Sequence, residues 1–101
     1  MAFLVPPEFL YHGTTSAAAE KIMKSGSIRK MKRHAVHMQA DPEKAWESAC
    51  RWHLTPVVLK INAGEMSRDG FAFGKTENHV WCTESVPVDY IVGQITDPHA
   101  F

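Results

Sequence analysis

The residues that most constrain the fold are the six from Pro56 to Ile61, which read PVVLKI. Val57, Val58 and Ile61 are β-branched, and such a dense run predicts a buried strand. A residue that precedes proline disfavours helical geometry, so a helix before this strand must end before Thr55. We therefore expect a sheet in the second half of the chain, with this strand as its strongest element.

Two helices are predicted before that strand. Thr14, Thr15 or Ser16 can cap the first, and Gly26 is suited to end it. Its apolar residues are spaced four apart on one side: Ala18 with Ile22, and Ala19 with Met23. The second helix starts at Asp41-Pro42, an N-cap followed by proline at the first helical position. Its predicted apolar face consists of Ala45, Trp46, Ala49 and Cys50.

Shorter apolar runs predict the remaining strands, at residues 9–12, 35–38, 79–82 and 90–95. Gly13 is expected to end the first of them. Residues 64–74 are expected to form an irregular loop anchored by Phe71 and Phe73, and Pro87 favours a turn. Two helices followed by strands predict one α+β domain over residues 1–101, with the helices on one side of a small sheet.

The chain carries no signal for a membrane or for secretion. No apolar run approaches the roughly 20 residues that span a bilayer, and the start MAFLVPPEFL lacks the basic region of a signal peptide. Cys50 and Cys82 have no paired spacing, so we expect free thiols in a reducing compartment and a cytoplasmic location. Cys50 is expected on the buried face of its helix, where a thiol is usually inert.

The charges of the chain sum to zero but are unevenly distributed. Six Lys or Arg residues and no acidic residue lie between Lys21 and His37, whereas five basic and nine acidic residues follow from Met38 onward. Net neutrality argues against binding nucleic acid through bulk charge. The basic run can still attract anions locally, or it can be a solvated loop face.

Several common chemistries have no motif in this sequence. GxGxxG, GxxxxGK[ST], HExxH, CxxC and GxSxG are all absent. His34 and His37 have no cysteine near them in sequence, so we expect no metal site.

Three polar segments at strand ends are left unexplained by packing: YHGT, RHAVH and ENHVW. Together with SGSI, DPEKA, PVVLKINAGEM and GFAFGKTENHVWCTESVPVDYI, in this order and spacing, they closely resemble the RNA 2′-phosphotransferase (KptA) family. The resemblance runs from about Leu10 to Ile91. It implies the C-terminal, NAD⁺-binding lobe of that family, an ADP-ribosyltransferase-like split and curved β-sheet with two N-terminal helices.

The resemblance also implies which residues hold NAD⁺. His12 would contact its ribose and nicotinamide side, Gly13 would let the backbone approach it, and Thr14 would start the adjoining helix. Asn78 and Val80 belong to the NHVW segment. Val80 would take the position at which many protein-modifying relatives carry a catalytic glutamate.

The implied catalytic residues are Arg33, His37 and His12. Arg33 would hold a phosphate with its planar guanidinium. In the implied reaction an RNA 2′-phosphate attacks the nicotinamide-bearing carbon of NAD⁺. A ribose hydroxyl then displaces the RNA and leaves ADP-ribose 1″,2″-cyclic phosphate. NAD⁺ and phosphorylated RNA or DNA are the expected partners.

The sequence departs from the family pattern at three points. Only nine residues precede Leu10, so the N-terminal lobe that grips RNA is expected to be missing. His79 stands where a glycine is usual, and Ala35 where a histidine is common. Two other functions remain open: ADP-ribosylation of a protein, for which Glu77 could supply the carboxylate, and binding of NAD⁺ or ADP-ribose without catalysis. The oligomeric state is not predicted.

Overall fold

The computed structural model describes residues 4–30, 35–51 and 54–97, and within them the fold is α+β. The elements follow one another as β1 (Leu10–Thr15), α1 (Ser16–Ser25), β2 (Ser27–Arg29), β3 (Val36–Met38), α2 (Pro42–Cys50), β4 (Pro56–Ile61), α3 (Ala63–Arg68), β5 (Gly74–Lys75), β6 (Trp81–Thr83), β7 (Ser85–Pro87), a 3₁₀ turn (Val88–Tyr90) and β8 (Ile91–Ile95).

The strands form two three-stranded antiparallel sheets and one two-stranded ribbon. The first sheet has the order β1-β4-β8, the second has the order β3-β6-β5, and β2 pairs with β7. Tyr11 of β1 and Gln39, just after β3, form an isolated antiparallel bridge between the two sheets. Both backbone hydrogen bonds of that bridge measure 2.8 Å. The two sheets therefore meet at one end of β1.

The main core lies on one face of the first sheet. In the β1–β4 ladder His12 stands opposite Leu59 and Thr14 opposite Val57, so these four side chains share a face. Leu59 and Val57 belong to the buried core, together with Leu10, Ala19, Ile28, Met38, Phe73 and Val86. His12 and Thr14 continue this core face toward the surface, where both are half-buried.

Helix α2 covers the opposite face of the first sheet, and Gly13 lets it come close. A Cβ on Gly13 would overlap the carbonyl oxygen of Ala45 and lie 3.1 Å from the amide nitrogen of Ala49. Ala45 and Ala49 are fully buried at this contact. Helix packing therefore requires glycine at position 13, because any side chain there would push α2 away from β1.

Both predicted helices are confirmed, including their caps. The Thr15 hydroxyl accepts a hydrogen bond from the amide of Ala18, and Gly26 ends α1 in the left-handed conformation at φ 93°. Asp41 accepts from the amide of Glu43 and is followed by Pro42. The strand at Pro56–Ile61 is also confirmed with its predicted bounds.

The prediction of an irregular loop over residues 64–74 is wrong for its first half, which is helix α3. The Asn62 side chain accepts a hydrogen bond from the Glu65 amide, and its own amide donates to the Glu65 carboxylate. Asn62 thus caps the helix, with a second bond between the two side chains, and Met66 buries the helix against the core. Gly64 obscured the pattern, since glycine weakens a helix interior. Phe73 is buried, as expected of an anchor.

The expectation that the helices lie on one side of the sheet is wrong, because α1 packs through Ala19 on the core face while α2 covers the opposite face at Gly13. Other expectations were wrong in detail. Gly13 lies inside β1 instead of ending it, and Thr14 is a strand residue. Cys50 is exposed, because only Ala45 and Ala49 of α2 are buried against β1 and β4. The basic stretch contains a short strand, β2, and Pro87 closes its partner β7 opposite Ser27.

The predicted strand at residues 79–82 begins later, at Trp81. His79 instead lies in the turn between β5 and β6, at φ 63°. The Thr76 carbonyl accepts from the His79 amide, and the Thr76 amide donates to the Val80 carbonyl, which closes the turn. A left-handed backbone favours glycine, so His79 stands where a glycine would be less strained.

Within residues 4–30, 35–51 and 54–97, none of the helices is both long and apolar enough to span a bilayer.

We predict that Gly13→Ala lowers the free energy of unfolding by about 3 kcal/mol, because the added methyl group meets the backbone of α2. Urea unfolding followed by circular dichroism would measure the loss. Gly93→Ala is the matched control, since a Cβ there would lie 3.9 Å from the Cβ of Lys60, an ordinary contact. Equal stability of the two variants would contradict the close approach of α2 to β1.

We predict that His79→Gly raises the free energy of unfolding by about 1 kcal/mol, because glycine adopts the left-handed conformation without strain. For a domain of this size the melting temperature should rise by about 4–8 °C. Glu77→Gly, in the same turn but at a residue without positive φ, should give no such gain. A fall in melting temperature for the His79 variant would refute the prediction.

Candidate active site

The predicted site residues divide between two strands and a turn. His12, Gly13 and Thr14 lie on β1, and His37 is the central residue of β3. Asn78 and Val80 lie in and after the β5–β6 turn. Arg33 lies outside the described residues.

The strands β1 and β3 diverge directly after their bridge. Tyr11 and Gln39 exchange both backbone hydrogen bonds, so the next such pair in a continued antiparallel ladder would be Gly13 with His37. Among the residues that the structure describes, the Tyr11–Gln39 pair is an isolated bridge, and the ladder stops there. The two sheets are consequently split at Gly13 and His37.

The side chain of His12 occupies the point of divergence. Its Nδ1 lies 2.8 Å from the carbonyl oxygen of His37. A carbonyl oxygen only accepts hydrogen bonds, so Nδ1 carries the proton. In a neutral ring the other nitrogen, Nε2, is then an acceptor. The His37 carbonyl thus fixes both the orientation and the tautomer of His12.

The backbone of Gly13 faces the split. Because Tyr11 hydrogen-bonds to Gln39, the alternation of an antiparallel strand directs the N–H and C=O of Gly13 toward β3 and those of His12 toward β4. On the other face of β1, helix α2 packs against Gly13, where a side chain would block it. Gly13 therefore presents one backbone donor and one backbone acceptor at the split.

The side chain of His37 is on the opposite face of β3 from the core residues Val36 and Met38. It stands directly across from Cys82 of β6. Burial raises the pKa of the Cys82 thiol, so this cysteine stays protonated at neutral pH and is a poor nucleophile. Its Sγ lies 3.7 Å from the carbonyl oxygen of Val80.

The two turn residues are presented by the β5–β6 hairpin. The Val80 amide donates to the Thr76 hydroxyl at 3.2 Å, and Val80 is half-buried while Asn78 is exposed. Val80 directly precedes Trp81, whose partner is Met38. The hairpin thus brings Val80 to the end of β3 that carries the bridge, one residue beyond Met38.

Sequence reasoning missed Tyr11 and Gln39, whose bridge sets where the sheets separate. Tyr11 was part of the YHGT segment, but Gln39 carries no signal of its own. Its pairing depends on the strand register, which a single sequence does not reveal.

Two concavities of the described surface lie elsewhere. One of about 370 Å³ lies between α1 and the β4–β8 edge, where Ala19, Met23, Val57 and Gln94 line it. Another, of about 490 Å³, is on the β2–β7 ribbon. In the part of the chain that the structure describes, no three His, Cys, Asp or Glu side chains come together in a way that could hold a metal ion.

Comparison with known proteins agrees with the resemblance found in the motifs. The family model of the RNA 2′-phosphotransferase, Tpt1 / KptA family matches residues 3–85. An RNA 2′-phosphotransferase of Escherichia coli strain K12 is 43% identical over 86 residues, which is 85% of this chain and 46% of that protein. A probable RNA 2′-phosphotransferase of E. coli O139:H28 matches with the same identity and coverage.

The chain thus spans about half the length of the curated relatives that it matches. The family model covers most of the chain, from ahead of β1 to the start of β7, and so includes both strands of the split. On this match and this identity, the chain belongs to the RNA 2′-phosphotransferase, Tpt1 / KptA family.

Proposed function

We propose that this chain binds NAD⁺ as a co-substrate and transfers its ADP-ribose to a phosphate-bearing nucleic acid, with an RNA 2′-phosphate as the leading acceptor. The single observation that carries the proposal is the orientation of His12 by the His37 carbonyl at the split of the sheets, in a chain of this family.

The proposal includes the fold family. An ADP-ribosyltransferase-like domain holds NAD⁺ in a cleft of a split, curved sheet, and the divergence of β1 from β3 supports this assignment. In this assignment the split is the entry to the cofactor cleft. Residues at its rim would bind NAD⁺ and residues beyond it would bind the acceptor.

The exposed peptide edge of Gly13 suits the nicotinamide end of NAD⁺. A carboxamide has one acceptor oxygen and an NH₂ donor, which complement the N–H and C=O that Gly13 directs into the split. The carboxamide would make the same two hydrogen bonds to Gly13 that a residue of β3 would make if the β1–β3 pairing continued. The role proposed for Gly13 is therefore backbone recognition, and its lack of a side chain serves the packing of α2.

His12 and Thr14 would hold the nicotinamide ribose. Both project from the same face of β1, and with its proton on Nδ1 the His12 ring would direct Nε2 toward a ribose hydroxyl of bound NAD⁺. Asn78 would add an amide from the hairpin. These contacts position the reacting carbon, and positioning can supply several kcal/mol of the barrier reduction.

The proposed first step needs little proton transfer. A phosphate oxygen forms a bond to the ribose carbon as the bond to nicotinamide breaks, and nicotinamide leaves as a neutral molecule. An ionised phosphate needs no general base, which is consistent with an apolar Val80 where protein-modifying relatives carry glutamate. In the second step a ribose hydroxyl bonds to phosphorus and loses its proton, while the bond from phosphorus to the RNA 2′-oxygen breaks and that oxygen takes up a proton to leave as a hydroxyl. Arg33 and His37 are proposed to stabilise the phosphate charge.

Incubation of the chain with labelled NAD⁺ and a 2′-phosphorylated RNA tests the proposal. We predict nicotinamide release together with label on RNA or in cyclic-phosphate ADP-ribose. Arg33→Ala should lower kcat/KM by roughly 30- to 1,000-fold, as expected for loss of an electrostatic contact worth about 2–4 kcal/mol. Arg33→Lys keeps the charge without the planar fork and should recover only part of the rate.

Parallel reactions with 5′- and 3′-phosphorylated oligonucleotides and with a cell lysate separate the alternatives. Label on protein alone would favour a protein acceptor, for which the exposed Glu77, three residues before Val80, is the candidate carboxylate. Bound NAD⁺ without nicotinamide release would favour the non-catalytic binder. Either result would refute the proposed phosphate-directed transfer.

We predict that the two nitrogens of His12 have separable roles. His12→Asn can still donate to the His37 carbonyl but has no atom at the Nε2 position, so it should keep its melting temperature and lose transfer by roughly a hundredfold. His12→Gln can place a polar atom near the Nε2 position and should retain more activity. Equal activity of the asparagine variant and the wild-type chain would contradict the ribose-holding role.

A further inference from the structure

We infer that the outer face of the β2–β7 ribbon binds the phosphodiester backbone of the acceptor RNA, beside the reacting phosphate. This inference rests on the proposed function and identifies where its acceptor would be held. The ribbon is defined by Ser27–Arg29 and Ser85–Pro87. It lies outside the split that holds His12 and His37.

The alternation of the ribbon separates an apolar face from a polar face. Ile28 and Val86 stand opposite each other and are both buried in the core. Their neighbours Ser27, Arg29 and Ser85 must therefore point outward. Together with Lys30 and Glu84 they line the concavity of about 490 Å³.

The donors of this concavity suit phosphate oxygens. Arg29 offers a planar guanidinium, Lys30 an ammonium, and the two serines offer hydroxyl groups. Arg29 is exposed, and its Nε is 3.4 Å from the Ser27 hydroxyl, at the long limit of a hydrogen bond. Within the described part of the chain, Arg29 makes no ion pair with a carboxylate.

The one acidic group in the concavity is weakly held. The Glu84 carboxylate lies 3.8 Å from the Lys30 Nζ, and the two side chains are 86% and 46% exposed. An exposed pair at that distance contributes little to stability, so Glu84 can move aside for a phosphate. The basic residues Lys21 and Lys24 precede the ribbon, and no acidic residue lies between Lys21 and Lys30.

The register connects the ribbon to the candidate active site. Ser85 is two residues beyond Thr83, and Thr83 pairs with Val36, the neighbour of His37. Two residues of extended chain span roughly 7 Å. Phosphates of a stacked strand follow one another at about 3.4 Å along the axis. The ribbon is thus placed to contact phosphates within a few nucleotides of the one that reacts.

An open and exposed concavity favours a long polyanion over a small enclosed anion. A small anion in this surface would stay hydrated, whereas an RNA strand gains from releasing its counterions at several contacts. The whole chain is neutral, so the contacts have to be local. The ribbon would increase affinity for RNA without selecting a sequence.

The test is equilibrium binding of a fluorescently labelled single-stranded RNA at several salt concentrations, without NAD⁺. The double variant Arg29→Ala/Lys30→Ala should bind roughly tenfold more weakly at low salt. The slope of log affinity against log salt should fall by about 1 to 1.5. The matched control is Lys44→Ala/Arg51→Ala, which removes two exposed cations from α2 and its C-cap, on the opposite face of the first sheet.

Each outcome decides the inference. Unchanged affinity and slope in the ribbon variant, equal losses in the control, or no RNA binding by the wild-type chain would each overturn it. Melting temperatures of both variants should match the wild type, because all four side chains are exposed. Failure of the proposed function is distinguished by a nucleoside 2′-phosphate, which has no phosphodiester for the ribbon to bind. Its turnover should be the same in the wild type and the ribbon variant.

Discussion

The hydrogen bond from His12 to the His37 carbonyl is the contact on which the candidate site depends. It uses the carbonyl that would otherwise pair with Gly13, so a side chain takes the place of a ladder bond where the two sheets separate. The same bond holds the imidazole in one tautomer. A single acceptor atom therefore links the separation of the sheets to the chemical state of the ring.

The two faces of β1 serve different purposes. On one face Gly13 lets the backbone of α2 come close, which holds the strand rigidly from behind. On the other face His12 and Thr14 extend the row that begins at the fully buried Leu10. A rigid strand matters here, because side chains that position a substrate lose their effect when displaced by about 1 Å. The packing of α2 thus supports the site without contributing to it.

Much of the fold was predictable from local signals, whereas the site was predictable only through its motifs. The caps at Thr15 and Asp41 and the β-branched run at Pro56–Ile61 are encoded within a few residues, and all three predictions are confirmed. The helix cap formed by Asn62 and Glu65 was equally local but was hidden by Gly64. The split has no local signal, because it depends on the register of strands that are 25 residues apart at His12 and His37. The exposure of Cys50 likewise depends on which helix face meets β1.

The β5–β6 hairpin determines which side chain lies beside the end of β3. His79 accepts a left-handed backbone, and this turn delivers Val80 to the end of β3 that carries the bridge. Val80 itself carries no carboxylate that could deprotonate an acceptor. Under the proposed function the acceptor has to arrive already ionised, as a phosphate does at neutral pH. Arg29 and Lys30 of the β2–β7 ribbon would then bind the backbone phosphates that flank the reacting one.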